Sequence, residues 1–319
     1  MSEARTHRRR AGKQGEQPMV PPAEFESYYG RPVIKSPVWK SPQIPGYFFL
    51  GGLAGASSLI GAGAQMTGRP ALARAAKAGA FGAGCVSVAA LVHDLGRPSR
   101  FLNMLRVLKV TSPLSVGSWL LSAYVPVAAV AAYSATTGRV PRIGTAATAG
   151  SALLGPGVAA YTAVLISDTA VPAWHEGYPE LPFVFVGSAA TAAGGLGLLA
   201  APGDQSRPAS YLALLGIAAE LTASNRLKRR LGMVAEPYNS GRGGAYLRAG
   251  QVLSVAGAAG SMLARRSRLA GALSGAALLA ASAATRWGIF HAGLDSAADP
   301  RYTIVPQRER LRERECAQA

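Results

Sequence analysis

Eight mostly apolar runs of roughly 20 residues follow one another between residues 47 and 285, with only short polar or basic connections between them. A helix rises about 1.5 Å per residue, so about 20 residues cross the roughly 30 Å hydrocarbon core of a bilayer. The runs predict helices over about 47–66, 71–92, 114–135, 143–167, 182–201, 208–224, 245–264 and 269–285. The expected fold class is therefore all-α: a polytopic integral membrane protein with eight transmembrane helices. Charged residues make up 15% of the chain, against about 25% in a soluble domain, and they gather in the tails and loops. The 38 glycines suit helices packed closely in lipid.

This pattern divides the chain into a polar, basic tail over 1–43, an eight-helix membrane domain over 44–285 and a polar C-terminal tail over 286–319. Trp39 reads as an amphipathic anchor at the membrane interface, and residues 101–110 as a short amphipathic segment lying in that interface. An even number of spans puts both termini on one side, here side A, with the loops around His93, His175 and 226–244. Side A is expected to be cytoplasmic. The four side B turns carry nine arginines and lysines, so the positive-inside bias is weak. The expected location is the inner (plasma) membrane. The first 30 residues lack the apolar core of a cleaved signal peptide.

The formal charge of +17 would suggest nucleic acid in a soluble chain. Here basic residues flank membrane segments and meet anionic lipid, and no basic–aromatic interleaving points to single strands. The partner expected is membrane lipid, with no nucleic acid. Two cysteines, Cys85 and Cys316, cannot hold an iron–sulfur cluster within the chain or a cysteine-rich zinc site. None of the four histidines falls in mid-span, so neither haem nor any other metal site is expected.

The chemistry concentrates in ionisable residues at helix ends. His93-Asp94-Leu95-Gly96-Arg97-Pro98 closes the second run, and ionisable groups there need partners, water or a substrate. His93 either caps its helix or bonds a quinone carbonyl and relays a proton, since quinone reduction consumes two protons and a group titrating near neutrality serves it. Asp94 either orients His93 or supplies the proton. Arg97 stabilises reduced quinone, pairs with Asp94 or meets lipid phosphate. Asp168 sits near a helix C-terminus, which disfavours a carboxylate without a partner. Glu220 lies in an apolar face near one end of the sixth run and is costly unless paired. His93, Asp94, Asp168 and Glu220 form the candidate catalytic set. His93, Arg97, Trp119, Tyr161, Trp174 and His175 form the candidate quinone-contacting set, with packing as the alternative role for Trp119 and Tyr161.

These stretches resemble the NrfD/PsrC family, the membrane subunits of polysulfide reductase-like complex iron–sulfur molybdoenzymes. The likeness rests on Tyr47 to Gly55, on Asp94 to Pro98 with Arg100 to Arg106, on Ser112-Pro113 with Gly117-Ser118-Trp119, on Pro172 to Glu176 and on Pro306-Gln307-Arg308. It implies an NrfD-like, haem-free subunit that exchanges electrons between membrane quinone and a partner iron–sulfur subunit. The chain would be non-catalytic alone, a quinone-reactive part of an oxidoreductase complex. The expected exchangeable substrate is a quinone, namely menaquinone, and the expected partners are a four-cluster ferredoxin-like subunit and a molybdenum or tungsten bis-pterin catalytic subunit. The complex is formate dehydrogenase-like or polysulfide/thiosulfate reductase-like, and the Ala, Gly and Arg bias tilts the expectation towards the former. A quinol-oxidising subunit like that of alternative complex III, a proton-coupled transporter and a purely structural anchor are the competing readings. At the start of its first helix the chain offers Gln43 and Tyr47, followed by mostly apolar residues, which departs from the family's polar set there.

Overall fold

A computed structural model of the chain describes residues 33–95, 99–264 and 266–318. Eight long helices alternate in direction: α1 (Gln43–Met66), α2 (Pro70–Asp94), α4 (Pro113–Thr137), α5 (Pro141–Ser167), α7 (Leu181–Ala200), α8 (Arg207–Leu231), α10 (Gly241–Ser261) and α11 (Arg268–Ala298). Four short helices lie between or after them: α3 (Ser99–Met104), α6 (Pro172–His175), α9 (Glu236–Asn239) and α12 (Arg301–Gln318). All four fall on side A, together with the 3-10 turn Gly232–Ala235, whereas side B has only tight turns.

Proline sets most of the starts. Pro70, Pro113, Pro141, Pro172, Pro182 and Pro208 each occupy one of the first two positions of a helix, where the missing N–H costs nothing and the fixed φ favours entry. At the other end, Gly138 closes α4 at φ 72°, a left-handed conformation that a side chain would strain.

Six helices are long and apolar enough to cross a membrane: α1, α2, α4, α5, α7 and α11. The protein is thus a polytopic, all-α membrane protein. α8 and α10 have comparable length, 25 and 21 residues, but carry too many charged or weakly apolar positions to meet the same standard. The expected boundaries agree within a few residues for most runs. α8 continues to Leu231, which puts Glu220 near its middle rather than near one end. α11 runs on past Thr285 to Ala298, and α12 gives helical structure to the expected polar tail. The interfacial segment expected over 101–110 is helical only as far as Met104.

The long helices pair as two bundles of four. α1, α2, α4 and α5 form the first; α7, α8, α10 and α11 form the second; α1 and α7 join them, with α5 against α7 and α11 against α1. Glycines carry the central crossings. A Cβ on Gly55 would strike the Gly155 carbonyl where α1 meets α5, and one on Gly195 would lie 2.8 Å from the Gly275 carbonyl where α7 meets α11. Lipid supplies no hydrophobic drive between helices, so such close backbone approach supplies the packing. In the first bundle α2 and α4 pack along each other, while in the second α8 and α10 are splayed.

Candidate functional site

The side A end of the first bundle holds a group of buried polar side chains. Tyr47 is one turn into α1 and Tyr161 less than two turns from the end of α5, and their hydroxyls are directly hydrogen-bonded. Their rings meet edge to face at 6.2 Å. Gly117 on α4 makes room for the Tyr161 ring, since a Cβ there would overlap it. Gln43 Oε1 is buried without a hydrogen-bond partner. Two phenols in mutual contact use one O–H between them and leave the other as a donor.

Above this pair the surface carries the helix-end residues singled out in the sequence. His93 is exposed in the last turn of α2, and Asp94 lies within electrostatic reach of His93 and Lys40. Asp168 is exposed as the C-cap of α5, its N–H donating to the Val164 carbonyl at 3.0 Å. His175 is tied to the end of the same helix by Nδ1 and the Ser167 carbonyl at 3.1 Å. Arg97 lies outside the described residues. Trp119 is 41% exposed on the outer face of α4.

Trp174 is fully buried, and its indole N–H donates to the Ile289 carbonyl at 2.8 Å. It stacks on Trp39 at 5.6 Å and abuts Gly293, whose missing Cβ admits the ring. Tyr238 donates to the Ala173 carbonyl at 2.7 Å. These bonds fasten α6 to α9 and α11, so the surface carrying His175 and Glu176 is held to the second bundle. Glu176 pairs with Arg310, which draws α12 onto α6.

Deeper in the second bundle lies a charged pair of which the sequence reading identified only one member. Glu220 is buried near the middle of α8 and accepts a hydrogen bond from Thr285 at 2.6 Å. Its other oxygen has no hydrogen-bond partner. Arg286, on α11, is fully buried and acts on Glu220 as a neighbouring positive charge, without direct contact. One guanidinium nitrogen donates to the Phe185 carbonyl at 2.6 Å, while Nε and Nη1 are unpartnered. The guanidinium sits 3.9 Å from the centre of the Phe185 ring. A cation over an aromatic face is attracted by the ring quadrupole. Gly52 faces the guanidinium, where a Cβ would stand 3.0 Å from Nη2.

The sequence missed Arg286 because it opens Arg286-Trp287, which resembles the first polar residues after a membrane helix. The signal available was the continued run of small and apolar residues beyond it, from Gly288 to Gly293. A cavity of about 20 Å³ lies beside the pair, where α8 and α10 diverge, and Glu220, Ser224, Lys228, Gln251 and Thr285 are among its lining residues. That volume holds about one water, for which the polar side chains among a largely apolar lining offer partners.

The two groups are connected by packed rings. Tyr47 lies beside Phe48 at 5.8 Å, and Phe48 beside Phe185 at 5.9 Å, under the Arg286 guanidinium. On α1 the Tyr47 and Gly52 positions differ by about 7.5 Å in depth by helical rise. Ionisable residues thus occur both near the side A surface and within the helical interior, where the sequence placed only the former. Among the described residues, no group of three or more His, Cys, Asp or Glu side chains is placed to hold a metal ion.

The family model described as Polysulphide reductase, NrfD matches residues 33–217, more than half of the chain. The match covers the whole first bundle, α7 and part of α8, and stops just before Glu220. No curated protein matches the chain.

Proposed function

Because this chain belongs to the NrfD family, we propose that it is the membrane subunit through which a molybdenum or tungsten enzyme complex exchanges electrons with the quinone pool. In this reading all eight long helices cross the membrane. A four-cluster iron–sulfur subunit docks on side A, over the surface formed by the ends of α2 and α5 and by α3, α6 and α9. The chain supplies the quinone site, a route for protons and the anchor, with the redox centres in the partners. The quinone is taken to be menaquinone, and a formate dehydrogenase-like complex is favoured over a polysulfide- or thiosulfate-reducing one.

The observation that carries this reading is the Tyr47–Tyr161 pair, buried one to two turns beneath that surface with an unpartnered Gln43 oxygen beside the start of α1. Tyr161 or Tyr47 offers an O–H to a quinone carbonyl, and the Gln43 amide offers a second donor. Reduction takes two electrons from the partner and two protons from the protein, giving a hydroquinone. His93 and Asp94, at the end of α2, are placed to renew those protons from the aqueous side. Asp168 and His175 flank the same surface at the end of α5. Arg97 belongs to the proposed set by its place in the sequence. Trp119 is proposed as a contact for the lipid-side quinone tail, and Trp174 as a support for the docking surface.

The buried position of Glu220 favours a second role for this machinery. A carboxyl held in the bundle interior beside Arg286, Thr285 and a water-sized cavity is a proton-holding group by default. Glu220 is therefore proposed to store or pass a proton during quinone turnover.

The test is a comparison of two assays on the assembled complex. Tyr161→Phe and His93→Ala are each expected to lower quinone-linked turnover by tenfold or more, while turnover with a soluble dye at the partner subunit stays at the unmodified level. Unchanged quinone-linked turnover in both variants would remove the site from this position.

A further inference from the structure

Outside the bundle interior, the face between α7 and α8 carries a second built feature. An apolar groove of about 660 Å³ runs along it, lined by Phe183, Leu215, Ala218, Ala219 and Ala223, with Glu180 and Arg226 at its side A end. Phe183 and Leu215 are 66% and 69% exposed, so the groove opens sideways, towards the surrounding membrane. A second cavity of about 700 Å³ continues from it through Thr222 and Arg226 to Asn225, Arg229 and Arg230. The two share residues and form one surface, apolar below and cationic above.

The cationic end is held in place from inside. Glu180 is buried at the start of α7, and both of its oxygens are taken by Arg230, at 2.7 to 3.1 Å. Arg230 also donates to the Glu176 carbonyl. Arg226 touches the same carboxylate only loosely, at 3.7 Å, and its side chain is 80% exposed. Arg229 is exposed and makes no ion pair among the described residues. Arg226, Arg229 and Arg230 on this surface, with Glu180 as the carboxylate paired there, leave two positive charges in excess. Two of the three guanidinium groups are open to a ligand.

From Arg226 down to Leu215 the groove spans about 16 Å by helical rise, most of the length of one phospholipid acyl chain. We propose that this surface is a binding site for an anionic phospholipid, with the phosphate on Arg226 and Arg229 and one acyl chain along Phe183, Leu215 and Ala219. Guanidinium groups bind phosphate through paired, charge-assisted hydrogen bonds. An apolar floor alone would accept any chain, while the arginines select the headgroup charge. The buried Glu180–Arg230 pair sets the spacing of that end without using up its charge.

The experiment uses the full chain in mild detergent, stripped of lipid and titrated in native mass spectrometry. The probes are phosphatidylglycerol and phosphatidylcholine with the same acyl chains. The expected result is a preference of about fivefold or more for phosphatidylglycerol, on the basis of about 1 kcal/mol per basic group. Arg226→Gln with Arg229→Gln removes the preference, and Arg226→Lys with Arg229→Lys keeps most of it. Ala219→Trp fills the groove and weakens both lipids. Equal binding of the two lipids by the unmodified chain, or a preference unchanged in the double glutamine variant, would overturn the proposal. So would displacement of bound phosphatidylglycerol by a long-tailed quinone at equal concentration, which would assign the groove to the quinone tail. The substituted arginines are exposed, and an unchanged thermal midpoint verifies that the variants are folded.

Discussion

The two four-helix bundles solve the same packing problem with different interiors. In the first, the buried polar groups towards side A are neutral and several are engaged with one another, while its buried charge, Lys77, lies towards side B against Gln65. Tyr124 donates to the Ala54 carbonyl at 2.6 Å and meets Ser58 at 2.7 Å, and Tyr47 meets Tyr161. In the second, an acid and a guanidinium share the interior, each with unpartnered atoms, and the acid lines a small cavity. The glycine crossings match, Gly55 with Gly155 and Gly195 with Gly275, so the difference does not come from how the central helices meet. The bundles also differ at α8 and α10, which diverge where α2 and α4 pack together. Hydroxyls are inexpensive in lipid once they bond a carbonyl one turn back or across a helix interface, whereas charges are kept in such a place only where they act.

That contrast makes Arg286 the place where substitution costs most. Arg286→Met should lower stability by about 3–5 kcal/mol, because it leaves Glu220 buried without its neighbouring positive charge and empties the space between Phe185 and Gly52. Glu220→Gln combined with Arg286→Met should recover a large part of the loss, since neither charge remains. Thermal unfolding in detergent, followed for the single and double variants, checks this. Equal losses in the two would mean that the guanidinium matters through its contacts with the Phe185 carbonyl and ring, and not as the charge partner of Glu220.

The next contrast sets two buried tyrosines of the first bundle against each other. Tyr161→Phe should cost about tenfold or more in quinone-linked turnover, about 1.4 kcal/mol at the barrier. Tyr124→Phe should leave turnover unchanged and cost about 1 kcal/mol of stability, the ordinary worth of one hydrogen bond. If both variants lost turnover alike, the hydroxyl network would have to act as one unit, and the buried hydroxyls of the first bundle could no longer be read as part site and part scaffold.

Most helices were legible in the chain because length and apolarity determine them and proline marks their starts. Pro70, Pro113 and Pro141 each stand within two residues of the expected beginnings. What sequence could not supply was partnership across helices. Glu220 was visible as a costly residue, but nothing local pairs it with Thr285 and Arg286, which are 65 and 66 positions away. Arg286 was assigned to a polar tail because a guanidinium after an apolar run ordinarily marks the interface. The space left by Gly52 and the bond to the Phe185 carbonyl turn it inward. Lys77 follows the same logic: its position near the start of α2 suggested a surface charge, yet it is buried and donates to Gln65, which also reaches Thr145 and Thr148. Trp174 belongs to the quinone-contacting set expected from sequence, but it is buried and its one donor goes to the Ile289 carbonyl.

The smallest effect concerns the ends of the bundles and not their interiors. At the junction of α11 and α12, Asp299 bonds the Arg301 guanidinium at 2.9 Å and its backbone N–H at 2.9 Å. These hydrogen bonds hold the Asp299 carboxyl below its ordinary value. The carboxylate therefore supports the start of α12 fully above the unfolded carboxylate range, near pH 4, and the support is lost as pH falls through the lower folded value. Arg301 is largely open to water and Asp299 partly so, which keeps the contribution small and screened by salt. Hydrogen-exchange protection of α12, relative to the intrinsic rate, should accordingly fall over the interval below the ordinary carboxylate value, near pH 4, and Asp299→Asn should show the lowered protection already at neutral pH. The buried interior of both bundles should keep its protection over that interval. Loss of protection at Glu220 and Tyr161 together with α12 would mean that both bundles depend on the side A helices, and that they share one cooperative unit instead of being stabilised separately.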